Sequence, residues 1–199
     1  MTETKAAPVA TSRVARRRQS RRREWPALLA LSLVLSVGLK VFVVQAFFIP
    51  SGSMEQTLHG CDDCANNDRV LVDKVGYRFH GPRRGDIVVF DGRGSFTSLK
   101  ADRKDFIKRV IGVPGDIVEC CDSDGRVLVN ELPLDEPYVF EDDRMAFGPV
   151  VVPEGRLWVM GDHRCCSDDS RVKGAVPIDR VIGRAFVTVW PPSRMGGLR

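Results

Sequence analysis

The chain has 199 residues and a formal net charge of +4, with ordinary apolar, Gly and Pro contents. This excludes a collagen-like or low-complexity chain, and beyond a basic head and an apolar segment about 150 residues are left, enough for one domain with a core. The charge is unevenly placed. Lys5, Arg13, Arg16, Arg17, Arg18, Arg21, Arg22 and Arg23 stand against Glu3 in the first 23 residues, and the remainder is slightly acidic. The basicity therefore belongs to a tail that abuts an apolar run, and no nucleic-acid partner is expected.

Residues 25–49 are that run. Ala27 to Leu39 carry no charge, Lys40 interrupts, and Val41 to Ile49 have only Gln45 as a polar residue. The length suits a membrane-crossing helix. Lys40 opposes this, since a charge at mid-bilayer costs roughly 2.5–3.5 kcal/mol. It lies past the middle, however, and can snorkel. Trp25 and Phe47–Phe48 suit the two interfaces, and the arginines keep the tail in the cytoplasm with everything after Ile49 outside. A cleaved signal peptide ending at Val44-Gln45-Ala46 is the competing reading, and the length of the run and Lys40 argue against it. Cysteines occur as Cys61/Cys64, Cys120/Cys121 and Cys165/Cys166. An even count outside the cytoplasm points to disulfides whose pairing the sequence leaves open. One CxxC and two adjacent pairs do not have zinc-ligand spacing, so neither metal nor cofactor is expected.

Beyond residue 50 the pattern is β. Short Val- and Ile-rich runs at 69–75, 86–90, 106–111, 116–120, 126–129, 156–160 and 181–190 are separated by turn signals such as Pro114-Gly115-Asp116 and Ser123-Asp124-Gly125. The expected fold is mainly β: a single N-terminal transmembrane helix, then an extracytoplasmic domain of antiparallel sheets.

Two serines, Ser51 and Ser53, follow the apolar run in PSGSM at 50–54. A serine nucleophile needs a base. His59, His80 and His163 are available, and spacing alone does not exclude a triad. The stretch FIKRVIGVPGD at 106–116 offers another. Alternation puts Phe106, Lys108 and Val110 on one strand face. If that face is buried, desolvation lowers the Lys108 pKa and makes it a usable base. A lysine on the solvent face of an edge strand is the competing reading.

PSGSM at 50–54, RRGDIVVF at 83–90, FIKRVIGVPGD at 106–116 and GDHRCCSDDSR at 161–171, in that order, resemble the four boxes of bacterial type I signal peptidases. These are membrane-anchored Ser/Lys endopeptidases that remove signal peptides from exported proteins. The resemblance covers roughly residues 40 to 190. It implies Ser53 as nucleophile, Lys108 as general base, and Ser51 as an oxyanion-hole hydroxyl beside the Ser53 N–H. Ser167 is implied to orient the lysine, Asp169 and Arg171 to form an ion pair, and Asp162 and Arg164 to support the loop. Phe48, Ile49, Pro50, Met54, Leu58, Phe106 and Ile107 are implied to line pockets for small residues at −1 and −3 of the substrate. The implied partners are secretory preproteins, the lipid bilayer and a nearby export translocon, and the implied fold has two antiparallel sheets. The implied divisions are a cytoplasmic tail at 1–24, an anchor at 25–48, the peptidase domain at 49–192 and a loose tail at 193–199.

Three features depart from the family pattern. Gln56 stands where proline is frequent, His163 where asparagine is frequent, and Cys165–Cys166 immediately precede Ser167. A disulfide there would make the position of Ser167 redox-dependent. The alternative function is a tethered, non-catalytic β domain that binds secretion or envelope partners.

Overall fold

The computed structural model describes residues 25–38, 43–62, 64–94, 96 and 104–198. The basic tail and Lys40 lie outside the described residues. Residues 25–38 form a helix, α1, within a compact unit distinct from the one that starts at Phe42. Its Ala- and Leu-rich composition favours the helix, and Pro26 sits in the first turn, where its missing N–H costs nothing. Its leucines and valines are exposed. Among the described residues no helix is long and apolar enough to cross a membrane.

The second unit is β throughout, apart from one short helix and several 3-10 turns. Its strands are β1 (Val44–Phe48), β2 (Arg69–Asp73), β3 (Ile87–Asp91), β4 (Asp105–Gly112), β5 (Ile117–Cys120), β6 (Val127–Val129), β7 (Leu132–Pro133), β8 (Phe147–Val151), β9 (Arg156–Met160), β10 (Val176–Pro177), β11 (Val181–Trp190) and β12 (Gly196–Gly197), and its helix is α2 (Ser170–Lys173). The large sheet has the order β1-β2-β11-β3-β4-β9-β10, with β12 on β11, and a four-stranded sheet has the order β7-β6-β5-β8. All named pairings are antiparallel.

Two boundaries differ from the sequence expectation. The expected anchor ran to residue 48, but Val44–Phe48 is β1, paired from Val44↔Asp73 to Phe48↔Arg69. A continuous apolar run carries no periodicity to mark where a helix gives way to a strand. Here Phe47 packs on the core and Pro50 ends the strand. The tail expected to be loose from residue 193 is tied down. Arg194 Nε donates to the Asp68 carboxylate at 3.0 Å, β12 pairs with Val187 and Thr188, and Leu198 packs on the core. Asp68 is fully buried, and a buried carboxylate needs such a partner. The strands missed from sequence, β7, β8, β10 and β12, are short or carry Gly and Pro, which read as turns.

Strand β4 positions the site. It pairs with β3 along Asp105–Arg109, but β9 joins its other edge only from Arg109 onward. From Ile107 to Gly112 it is buried on both faces. One face meets a cluster containing Ile49, Met54, Leu58, Val70, Val89 and Ile107, and another cluster, built on Val110, Phe90 and Val159, packs farther along.

Gly183 of β11 shows how closely the strands pass. A Cβ there would lie 2.1 Å from Asp73 O and 2.9 Å from a Val72 side-chain carbon. Gly183→Ala is expected to lower stability by about 1–3 kcal/mol through forced backbone movement. Equilibrium urea unfolding of the full chain checks this, and an unchanged midpoint would contradict it.

Candidate active site

After β1 the chain turns sharply through a 3-10 turn at Gly52–Met54, which puts Ser53 at the floor of a cleft with 9% of its surface exposed. Met54 and Leu58 are fully buried beneath it. They anchor the turn in the core and do not line the cleft, unlike the role implied from sequence. Gly60 makes the turn possible. A Cβ there would stand 2.4 Å from Ile49 O and 2.7 Å from Ser51 O. Ser51 Oγ lies 3.4 Å from Ser53 Oγ.

Lys108 reaches this turn from β4. It is 3% exposed, and its Nζ donates to Ser53 Oγ at 2.6 Å. Burial pushes the Lys108 pKa down to about 8, although the carboxylates of Asp169, Asp168 and Asp162 pull it up. Arg171 adds to the depression. A fraction of the side chain is therefore the neutral amine near neutral pH, within proton-transfer distance of Ser53 Oγ.

No histidine takes that place. His163 uses Nδ1 on Gly52 O at 2.9 Å and Nε2 on Glu141 at 2.9 Å. His59 Nδ1 contacts Glu55 at 2.7 Å, and His80 is exposed.

The stretch 161–171 forms the scaffold behind the dyad. Gly161 lets it approach, since a Cβ there would lie 2.2 Å from Ser167 Oγ and 2.4 Å from Ser53 O. Asp162 accepts two bonds from Arg109, Nε–H···Oδ1 at 2.8 Å and Nη2–H···Oδ2 at 2.7 Å, and a third from Thr57 Oγ1 at 2.6 Å. Arg164 Nε donates to Gly161 O at 3.1 Å, and its Nη2 donates to Glu136 at 2.6 Å. Asp169 accepts from Gly161 N at 3.0 Å and from Arg171 Nε at 2.9 Å, and it caps α2 through Arg171 N. Ser170 Oγ accepts from Val159 N at 2.9 Å and fastens α2 to β9. Ser167 Oγ is buried without a hydrogen-bond partner, so the bond to Lys108 implied from sequence is not formed here.

The cleft has a volume of about 280 Å³. Phe48, Ile49, Pro50, Phe106 and Ile107 line it beside Ser51, Ser53 and Lys108, as do Phe47 and Val89. Its walls are partly apolar, with Phe48 half exposed at the rim, and Asp105 and Asp168 add carboxylates to the lining. No strand pairs with Asp105–Lys108 on the edge away from β3 among the described residues.

Sequence reasoning missed Arg109, Thr57, Gly161 and the contact of His163 with the nucleophile turn. The one available signal was Arg109 beside Lys108, between apolar residues on both sides. Disulfides join Cys61 to Cys64 and Cys120 to Cys121, while Cys165 and Cys166 are thiols at the surface.

The chain matches known proteins along most of its length. The sequence profile of the family described as signal peptidase, peptidase S26, matches residues 22–190. The chain is 40% identical to signal peptidase I of Mycobacterium tuberculosis (strain ATCC 25618 / H37Rv), over 99% of this chain and 81% of the relative. It is 43% identical to signal peptidase I of Leptolyngbya laminosa, over 85% of this chain and 80% of the relative. Among solved structures, a signal peptidase I from Enterococcus faecalis V583 is 30% identical, covering 52% of this chain and 95% of that one with a TM-score of 0.41.

The Arg109–Asp162 pair is 1% exposed on each side. Removing one partner strands a buried charge, so Arg109→Met alone is expected to cost about 3–5 kcal/mol. The double variant Arg109→Met/Asp162→Leu should lose less than that single. Urea unfolding of both variants tests the pair, and a single variant as stable as the parent chain would refute it.

Proposed function

The chain belongs to the signal peptidase family, peptidase S26, and from that premise we propose that Ser53 and Lys108 are the dyad with which it removes signal peptides from preproteins. Membership makes it a serine endopeptidase. The observation that carries the dyad is the 2.6 Å contact between the buried Lys108 Nζ and Ser53 Oγ. Lys108, as the amine, takes the Ser53 proton while Oγ attacks the scissile carbonyl. The ammonium then protonates the leaving amine, and the regenerated amine activates the water that releases the acyl group.

The Ser51 hydroxyl and the Ser53 N–H hold the oxyanion, a contribution of roughly 2.7–4 kcal/mol for each donor. Ser167, whose buried hydroxyl has no hydrogen-bond partner in this arrangement, turns to Lys108 Nζ to orient the lysine during catalysis. The unpaired edge of Asp105–Lys108 suits a substrate segment added as an extra strand, with main-chain hydrogen bonds fixing its register. The apolar part of the wall, Phe48, Ile49, Phe106 and Ile107, suits small apolar side chains, in keeping with cleavage after a small-x-small site.

The apolar, exposed α1 and the arginines before it support a membrane anchor with a cytoplasmic N-terminus and an outer catalytic domain. Such an anchor keeps the cleft where signal peptides emerge beside the export machinery, which raises effective concentration without new contacts.

The test uses the full chain in detergent with a signal-peptide-bearing preprotein. Ser53→Ala and Lys108→Met should each lose at least about 10²–10⁴-fold in kcat/KM while remaining folded. Neutral lysine is the active form, so kcat/KM should rise with pH through about 8 and level off above it. Cleavage by either variant at the parental rate, or a profile flat into acid, would remove the lysine base.

A further inference from the structure

Four side chains that the peptidase chemistry does not use converge at the surface behind the nucleophile turn. We propose that Glu141, His163, Cys165 and Cys166 form a binding site for a thiophilic divalent cation of the Zn²⁺ type.

Their donor atoms, one carboxylate oxygen, one imidazole nitrogen and two sulfurs, all lie within 4.8 Å of one another. Nε2 of His163 is 2.9 Å from Glu141 Oε2 and 3.4 Å from Cys165 Sγ. Cys165 Sγ is 3.5 Å from Glu141 Oε2. A tetrahedral zinc with ordinary bond lengths has edges of about 3.4 Å for N···O and about 3.6 Å for S···N and S···O. Three edges of that tetrahedron are thus nearly in place. The Cys166 sulfur, 2.7 Å from that of Cys165, must open to about 3.8 Å, and both thiols are exposed at the surface.

The histidine is already turned as a ligand. Gly52 O can only accept a hydrogen bond, so the ring N–H sits on Nδ1 and the Nε2 lone pair faces the cluster. A backbone carbonyl behind the second ring nitrogen is the usual support of a metal-bound imidazole. Nε2 and the Glu141 carboxylate then face each other as two acceptors, an arrangement that needs a cation between them. A proton serves in the metal-free protein, and a metal ion held also by two thiolates serves equally.

The backbone fixes the two loops against each other. Phe140 and His163 form a parallel bridge. Phe140 N donates to Asp162 O at 2.8 Å, Arg164 N to Phe140 O at 3.1 Å and Cys165 N to Glu141 O at 2.9 Å. The ligands are therefore largely preorganised, which lowers the ordering cost of binding.

The site touches the catalytic cleft at two points. Cys166 forms part of the cleft wall, and His163 holds the carbonyl of the residue before Ser53. A bound cation would tie both to Glu141.

The experiment adds Co²⁺, then Zn²⁺, to the reduced full-length chain in detergent. One equivalent of Co²⁺ should give sulfur-to-cobalt charge-transfer absorption and tetrahedral ligand-field bands, which Zn²⁺ then abolishes. Cys165→Ser/Cys166→Ser should lose the charge-transfer band. Glu141→Gln, at an exposed residue that leaves the fold intact, should weaken binding by at least the about tenfold that losing even an outer-shell partner costs. A variant with Ser at Cys61, Cys64, Cys120 and Cys121 should keep the band, because reduction also frees those thiols. Absence of the band, its survival without Cys165 and Cys166, or indifference to Glu141→Gln would each overturn the site. This readout is binding, so it stands or falls independently of the peptidase dyad.

Discussion

The ion pair between Arg109 and Asp162 is the constraint on which the site depends. Three separate segments meet at one carboxylate: Arg109 beside the base, Thr57 just after the nucleophile turn, and Asp162 at the head of the 161–171 loop. Arg109 also donates to Gly85 O at 3.0 Å and stacks on the Tyr138 ring at 3.8 Å from its centroid. Such a buried pair adds little net stability over an apolar replacement, because desolvating both charges offsets their attraction. Its value here is registry. Neither charge tolerates losing the other, so β4, the turn and the loop keep one arrangement.

Lys108 lies beside this pair, and its own burial sets its character. On an exposed edge the same lysine would be an ammonium at neutral pH. Held between the serine turn and the 161–171 loop it is desolvated, and its pKa falls to about 8. The nearby carboxylates of Asp162, Asp168 and Asp169 limit that fall, and Arg171 neutralises part of their field. Arg171 bonds Asp169 and Asp143 at once and donates to Arg164 O at 2.6 Å. The loop therefore sets the electrostatic field around Lys108. Gly161 completes this by letting the loop pass within contact distance of the Ser53 carbonyl.

The 161–171 loop has a second face. Residues pointing inward hold the dyad, while His163, Cys165 and Cys166 point toward Glu141 and the surface. His163 belongs to both faces, with Nδ1 on the nucleophile turn and Nε2 outward. Asparagine, frequent at this position in the resembling family, has too short a side chain to span both contacts.

Much of this protein was determined by its sequence alone. Short alternating runs between Gly and Pro turns gave the β class and seven of its strands, because the period of two is a local property. Ser53, Lys108 and the loop residues Asp162, Arg164, Asp169 and Arg171 were legible as ordered motifs. Only the tertiary structure decided the rest. Whether Lys108 was buried or a solvated edge lysine depended on what covered both faces of β4. The roles of Arg109 and Thr57 depended on Asp162, 53 and 105 positions away in the chain. The end of the apolar run at β1 was invisible because hydrophobicity without periodicity fits helix and strand alike. The cation cluster was invisible because Glu141 lies 22 residues from His163 and meets it only once the two loops pair in the fold. Local pattern reports the elements; burial and long-range partners, which set pKa values and ligand geometry, exist only once the chain has folded.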